Sequence, residues 1–84
     1  RRSSDLLTST VADPKKIFHH LLINNAGGFI ISHNHPSGNV KPSDTDIRLT
    51  KDIQAVANVL RVDLVDHIIV SGNAYYSFAD EGIL

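Results

Sequence analysis

A chain of 84 residues, 42% hydrophobic, makes at most one small domain, marginal for burying a core of its own. A formal net charge of −1 and a pI of about 6.5 leave no electrostatic footprint for nucleic acid and no basic face for a membrane, although a local patch is not excluded. The absence of cysteine rules out disulfides and thiolate metal sites, and no apolar run reaches membrane-spanning length or opens the chain as a signal peptide, so a soluble cytoplasmic protein is the expectation.

The chain begins polar and turns β-like across "LLTSTVA", residues 6–12. Asp13-Pro14 then offers an N-cap followed by proline at the first helical position. Ile17, Phe18, Leu21 and Leu22 recur at helical spacing, and the glycine pair Gly27-Gly28 is expected to stop a short helix over about 14–25. "FIIS" at 29–32 reads as a buried strand. A loop rich in Pro, Gly and Asn follows, in which Gly38 permits a tight turn after His35.

Ser43 and Asp46 stand at capping-box-like spacing behind Pro42. Leu49, Ile53, Val56, Ala57 and Leu60 form the apolar stripe of a second helix near 44–60, with Asp44, Arg48, Lys51, Ala55 and Asn58 on the opposite face. "VDLVDHIIVSG" reads as a strand, and "NAYYSF" as its partner across a Ser71-Gly72-Asn73 turn. The order strand, helix, strand, helix, strand, strand predicts an α/β sandwich with a mixed β-sheet and flanking helices, occupying 1–84 as a single domain.

The chemistry concentrates in "SHNHPSGNVKPSDTD". Side chains two apart on an extended segment share a face, so a strand continuing to residue 35 aims Phe29, Ile31, His33 and His35 the same way. A third ligand must come from another element. Asp46 lies three residues before Leu49 and seven before Ile53, which places it on the apolar stripe of the second helix, facing the strand. The helix N-terminus there favours the ionised carboxylate. Two imidazoles and a carboxylate without thiolate suit Zn2+ as cofactor, and other divalent ions also fit. Capping alone explains Ser43 and Asp46 locally, yet it leaves unexplained why Asp46 falls on the buried stripe beneath a histidine pair.

His-x-His, seven residues, Ser, two residues, Asp is similar to the JAB/MPN (JAMM) metalloprotease motif. "HNHPSG", "PS..D" and "DHIIV" resemble the bacterial RadC-like branch of that family, which carries a DNA-repair label; the resemblance runs from about Val11 to the end, where "YYSFADEGIL" fits too. It implies a small JAB-type sandwich, akin to cytidine deaminases, in which His33, His35 and Asp46 bind zinc. Ser43 would then hydrogen-bond beside the metal-bound water or help hold the oxyanion. A true nucleoside deaminase is out, since it needs His-x-Glu and Cys-x-x-Cys.

The resemblance also asks for a glutamate on an upstream strand as general base, and the only glutamate here is Glu81, at the wrong place. With no methionine in the chain, Arg1 is not expected to be the natural start, and this is expected to be the C-terminal part of a longer protein; either the N-terminal strand and that glutamate lie upstream, or the protein lacks the glutamate and is catalytically weak or dead. The reaction implied is metal-dependent hydrolysis of a peptide or isopeptide amide, or of a nucleic-acid-associated substrate; the alternative is a non-catalytic scaffold that binds DNA or a repair partner. No membrane is expected as a partner, and pairing of two copies is one way to cover an edge strand. His67, after Asp66 at a strand entrance, is expected to be a half-buried structural histidine unconnected with the site. At least one of His19 and His20 should face solvent, one of Tyr75 and Tyr76 should pack while the other is exposed, and the pairs Lys15-Lys16 and Arg1-Arg2 should be solvated.

Overall fold

The computed structural model describes residues 6–10 and 14–84. In chain order these are β1 (Leu6–Thr10), α1 (Pro14–Ile23), β2 (Gly28–Asn34), α2 (Asp44–Leu60), β3 (Asp63–Ser71) and β4 (Ala74–Ser77). The order of elements is the expected one. The anticipated cap at Asp13, the last two positions of "LLTSTVA" and Arg1-Arg2 lie outside the described residues.

The strands form one mixed sheet in the order β1-β2-β3-β4, parallel from β1 to β3 and antiparallel between β3 and β4. Parallel neighbours need a crossover, and each helix supplies one. Pro14 and Phe18 of α1 line a common groove with Ile53 and Val56 of α2, so both helices cover the same face. Between them and the sheet lies a core of Ile17, Phe18, Leu21, Phe29, Ile31, Ile53, Ala57 and Val62.

Both helices end in the same way, and not on glycine. Asn25, at φ +50, and Arg61, at φ +60, take the left-handed conformation just past the last turns. The N–H groups of Asn25 and Ala26 close back on Leu22 and Leu21, and those of Arg61 and Val62 on Asn58 and Ala57. These are Schellman closures, in which Asn is a tolerated substitute for glycine. The first helix therefore stops at Ile23, and Gly28 already opens β2, contrary to the glycine-pair stop expected. A further correction concerns the helical stripes. Leu22, Val56 and Leu60 are exposed, and the buried arc of α2 is Asp46, Thr50, Ile53 and Ala57.

One irregularity sets up the site. Phe29 pairs with Leu64 but Ile30 with Asp66, so Val65 is an extra residue bulged out of β3. Because side chains alternate with period two, the bulge inverts the parity of the rest of β3. His67 and Ile69 thus turn to the helix-covered face, opposite Ile31 and His33, where both are buried. The β3–β4 hairpin closes with Ser71 opposite Ala74 and Gly72, at φ +57, in the first loop position.

Candidate metal centre

β2 runs two residues beyond the apolar stretch, to Asn34, and carries His33 on the face of Phe29 and Ile31. The His35 N–H still donates to Val70 O at 3.0 Å, so the backbone stays alongside β3 for one residue more. The Ser71 hydroxyl donates to the His35 carbonyl and pins the same residue from its other side. The two imidazoles meet edge to face, with ring centroids 4.6 Å apart.

The third group arrives on α2. Ser43 is the N-cap and Asp46 the N3 residue of a complete capping box: the Asp46 N–H donates to Ser43 Oγ at 3.0 Å, and the Ser43 N–H donates to Asp46 Oδ2 at 2.9 Å. Asp46 is 6% exposed. Its Oδ1 lies 3.4 Å from His33 Nδ1 and its Oδ2 3.2 Å from His35 Nε2. One ligand atom from each of His33, His35 and Asp46 falls within 4.8 Å of the others. Ligands held about 2.0–2.1 Å from a tetrahedral ion sit roughly 3.3 Å apart, close to each of the two imidazole–carboxylate contacts, which fall on different oxygens of Asp46.

Proton accounting shows what the cluster wants. His35 Nδ1 lies 3.0 Å from Asn39 O, and a carbonyl only accepts, so Nδ1 carries a hydrogen. In neutral His35 the Nε2 lone pair then points at a carboxylate oxygen. His33 Nδ1 is buried with no hydrogen-bond partner and faces the other oxygen. For neutral His35 this sets an acceptor against an acceptor, which requires positive charge between them, either a proton or a metal ion. Burial pushes the Asp46 pKa up, but the Ser43 N–H, the Ser43 hydroxyl and the charges of His33 and His35 outweigh it and hold the carboxyl below its ordinary range. The carboxylate is therefore ionised at neutral pH. The donor set of two imidazoles and one oxygen anion fits a divalent cation of borderline hardness.

The structure brings the three expected ligands together. Ser43 sits beside them, exposed, with its oxygen engaged on the Asp46 N–H and its hydroxyl hydrogen left over for another acceptor. Glu81 is exposed in the C-terminal turn and does not join the cluster. His19 and His20 are both solvent-exposed on α1, and Tyr75 is exposed while Tyr76 packs edge-on against Phe78.

His67 departs from expectation. It is fully buried, its ring stacks on Phe78 at 4.4 Å and 9°, and it lies 6.1 Å and 23° from the ring of His33. Its Nδ1 is 2.6 Å from Thr50 Oγ1, which in turn donates to Asp46 O at 2.7 Å. Burial, reinforced by the charge of His33, pushes its pKa down to about 4 in spite of Asp46 and Asp66, so the ring is neutral at pH 7. Thr50 and His67 are thus the neighbours of the site that residue patterns alone passed over. The one available signal was Thr50, four residues after Asp46 on the same face of α2.

Among the described residues no helix is long and apolar enough to cross a membrane. The chain is similar to UPF0758 proteins of several bacteria: 43% identical over 77 residues to that of Flavobacterium johnsoniae, 46% over 79 to that of Porphyromonas gingivalis, and 51% over 70 to that of Trichodesmium erythraeum. These matches cover 92%, 93% and 83% of this chain but 34%, 35% and 28% of the relatives, so the chain spans about a third of the length of the curated relatives it matches. Residues 2–83 match the model of the RadC-like JAB domain, and with the relatives' identity across nearly its whole length the chain belongs to that family.

Proposed function

We propose that this domain is the metal-binding part of a zinc-dependent hydrolase acting on an amide bond, peptide or isopeptide. The observation that carries the reading is Asp46, a desolvated carboxylate whose two oxygens each face a different imidazole nitrogen, one of them the Nε2 that neutral His35 leaves with a lone pair. A metal-free scaffold leaves that arrangement unexplained, whereas a metal-stabilised one would bind zinc without turnover.

His33 Nδ1, His35 Nε2 and one oxygen of Asp46 would hold the ion. A zinc ion so held supplies Lewis acidity and brings the pKa of water toward 7. The chain's own groups do the rest. The Asn39 carbonyl keeps the His35 proton on Nδ1, so that Nε2 stays free as a ligand. The Ser43 N–H fixes the rotamer of Asp46 through Oδ2. The Ser43 hydroxyl keeps one hydrogen free to donate to the oxygen anion that develops at a scissile carbonyl. The proton shuttle is a carboxylate outside the three ligands, and it is not Glu81, which is exposed in the C-terminal turn.

The test is metal content and turnover of the full-length protein. After zinc loading and desalting, elemental analysis should find about one zinc per chain in wild type and far less in His33→Ala and Asp46→Ala, with amide hydrolysis lost in step. A wild-type protein that retains no metal after loading would reject the reading.

A further inference from the structure

We propose that His67 is a positioning residue for the metal centre: its Nδ1–H holds the Thr50 hydroxyl against the Asp46 carbonyl and so sets where α2 presents the Asp46 carboxylate. This rests on the reading of His33, His35 and Asp46 as a metal site.

The three ligands come from two separate elements. His33 and His35 belong to the end of β2, whereas Asp46 rides on the first turn of α2. Their convergence depends on how that turn is seated on the sheet. The Thr50 hydroxyl has a single hydrogen, and it goes to Asp46 O at 2.7 Å. The 2.6 Å contact between Thr50 Oγ1 and His67 Nδ1 is therefore donated by the imidazole. This fixes the Nδ1–H tautomer and leaves Nε2 with a lone pair, buried and with no partner among the described residues.

A histidine is an odd filler for such a place. A phenyl ring would stack on Phe78 and beside His33 equally well, without a buried unpaired nitrogen. What the imidazole adds is one directed donor, and that donor meets the residue gripping the backbone of Asp46. Nor is His67 a fourth ligand. It stands outside the cluster of ligand atoms, and its Nδ1 is already engaged. The β3 bulge at Val65 completes the case. Without it His67 would point to the opposite face of the sheet, away from Thr50.

The experiment uses full-length protein and Co2+ alone as probe, followed by visible absorption, with thermal unfolding of the metal-free proteins measured in parallel. Asn places a side-chain N–H where His67 has Nδ1 but lacks the ring, whereas Phe keeps a ring and lacks the donor. His67→Phe and Thr50→Val should each weaken Co2+ binding about 10- to 100-fold and alter the ligand-field bands. The double variant should be no weaker than either single one, because both remove the same link. His67→Asn should bind Co2+ within about 3-fold of wild type although it unfolds at lower temperature than His67→Phe. A long-range 15N–1H spectrum of metal-free wild type should show the His67 proton on Nδ1.

If affinity instead follows thermal stability through all the variants, or if His67→Phe and Thr50→Val bind as wild type does, His67 is only core and the proposal falls. Should wild type itself take up no Co2+, the metal reading fails and this proposal with it. Wild-type uptake with unaffected variants overturns the positioning role alone.

Discussion

Ser43 and Asp46 cap each other, and the carboxylate oxygen that receives the Ser43 N–H is the one that faces His35. A device that in most helices only satisfies free N–H groups here also aims a carboxylate at two imidazoles. The two halves of the box are separable, because one uses the Ser43 backbone and the other its side chain.

Ser43→Ala removes the hydroxyl and leaves the N–H. We expect a loss of about 1 kcal/mol in unfolding free energy for the missing cap, a metal affinity close to wild type, and a fall in turnover of about 100-fold if the hydroxyl donates to the developing oxyanion. Urea unfolding, Co2+ titration and an amide hydrolysis assay read these separately. A variant whose affinity collapses while its turnover per bound metal is intact would show that the serine serves only the ligand.

The loop behind His35 should be sensitive although it is exposed. Asn39 supplies the carbonyl for His35 Nδ1, and its own side chain accepts from the Lys41 N–H at 3.0 Å. Asn39→Ala should loosen that carbonyl and lower metal affinity about 10-fold, with unfolding shifted by less than about 0.5 kcal/mol, as is usual for surface positions. Gly38, at φ +89 with open space around it, should tolerate alanine sterically but not conformationally. We expect Gly38→Ala to be destabilising by about 1 kcal/mol and to weaken binding through the same loop.

Much of this was legible in the chain. The span of α2, the hairpin and the gathering of His33, His35 and Asp46 all follow from local signals: a cap, a period, a turn. Thr50 and His67 were not, because their contact joins residues 17 apart in sequence and depends on a bulge that inverts the facing of β3. No alternation pattern in "VDLVDHIIV" announces the inversion, since apolar residues occur on both faces. The exposure of Leu22, Val56 and Leu60 has a related cause. Periodicity finds the apolar side of a helix, but the arc that becomes buried is decided by the sheet beneath, and here that arc includes two polar residues, Asp46 and Thr50.

Titration of His67 should be visible in stability. Its folded pKa, about 4, lies below the ordinary histidine value of 6.5, so the folded state resists the proton that the unfolded chain accepts. The stability due to neutral His67 is complete above pH 6.5 and declines as pH falls toward 4, by about 2 kcal/mol at pH 5. His67→Asn does not titrate. The stability difference between wild type and His67→Asn, measured by urea unfolding of metal-free protein, should therefore shrink by about 2 kcal/mol between pH 7 and pH 5. Asp46 acts in a lower window: its depressed pKa gives stability that is present above 3.8 and lost as pH falls below it, so it leaves the comparison at pH 5 and above undisturbed. A difference that stays constant with pH would mean that His67 is not held neutral by burial.

Metal binding should stabilise the fold by mass action, because the three ligands converge only in the folded chain. Zinc at 100 times its dissociation constant contributes about 2.7 kcal/mol. For a domain of this size each kcal/mol moves Tm by about 4–8 °C, so a rise of about 10 °C or more is expected if this domain unfolds as its own unit. A chelator should reverse it. His33→Ala and Asp46→Ala should melt at the same temperature with and without zinc, whereas His19→Ala and His20→Ala, altered on exposed positions of α1, should keep the full shift. If the α1 variants lose the shift as well, the stabilisation comes from adventitious zinc at surface histidines rather than from the site built on β2 and α2.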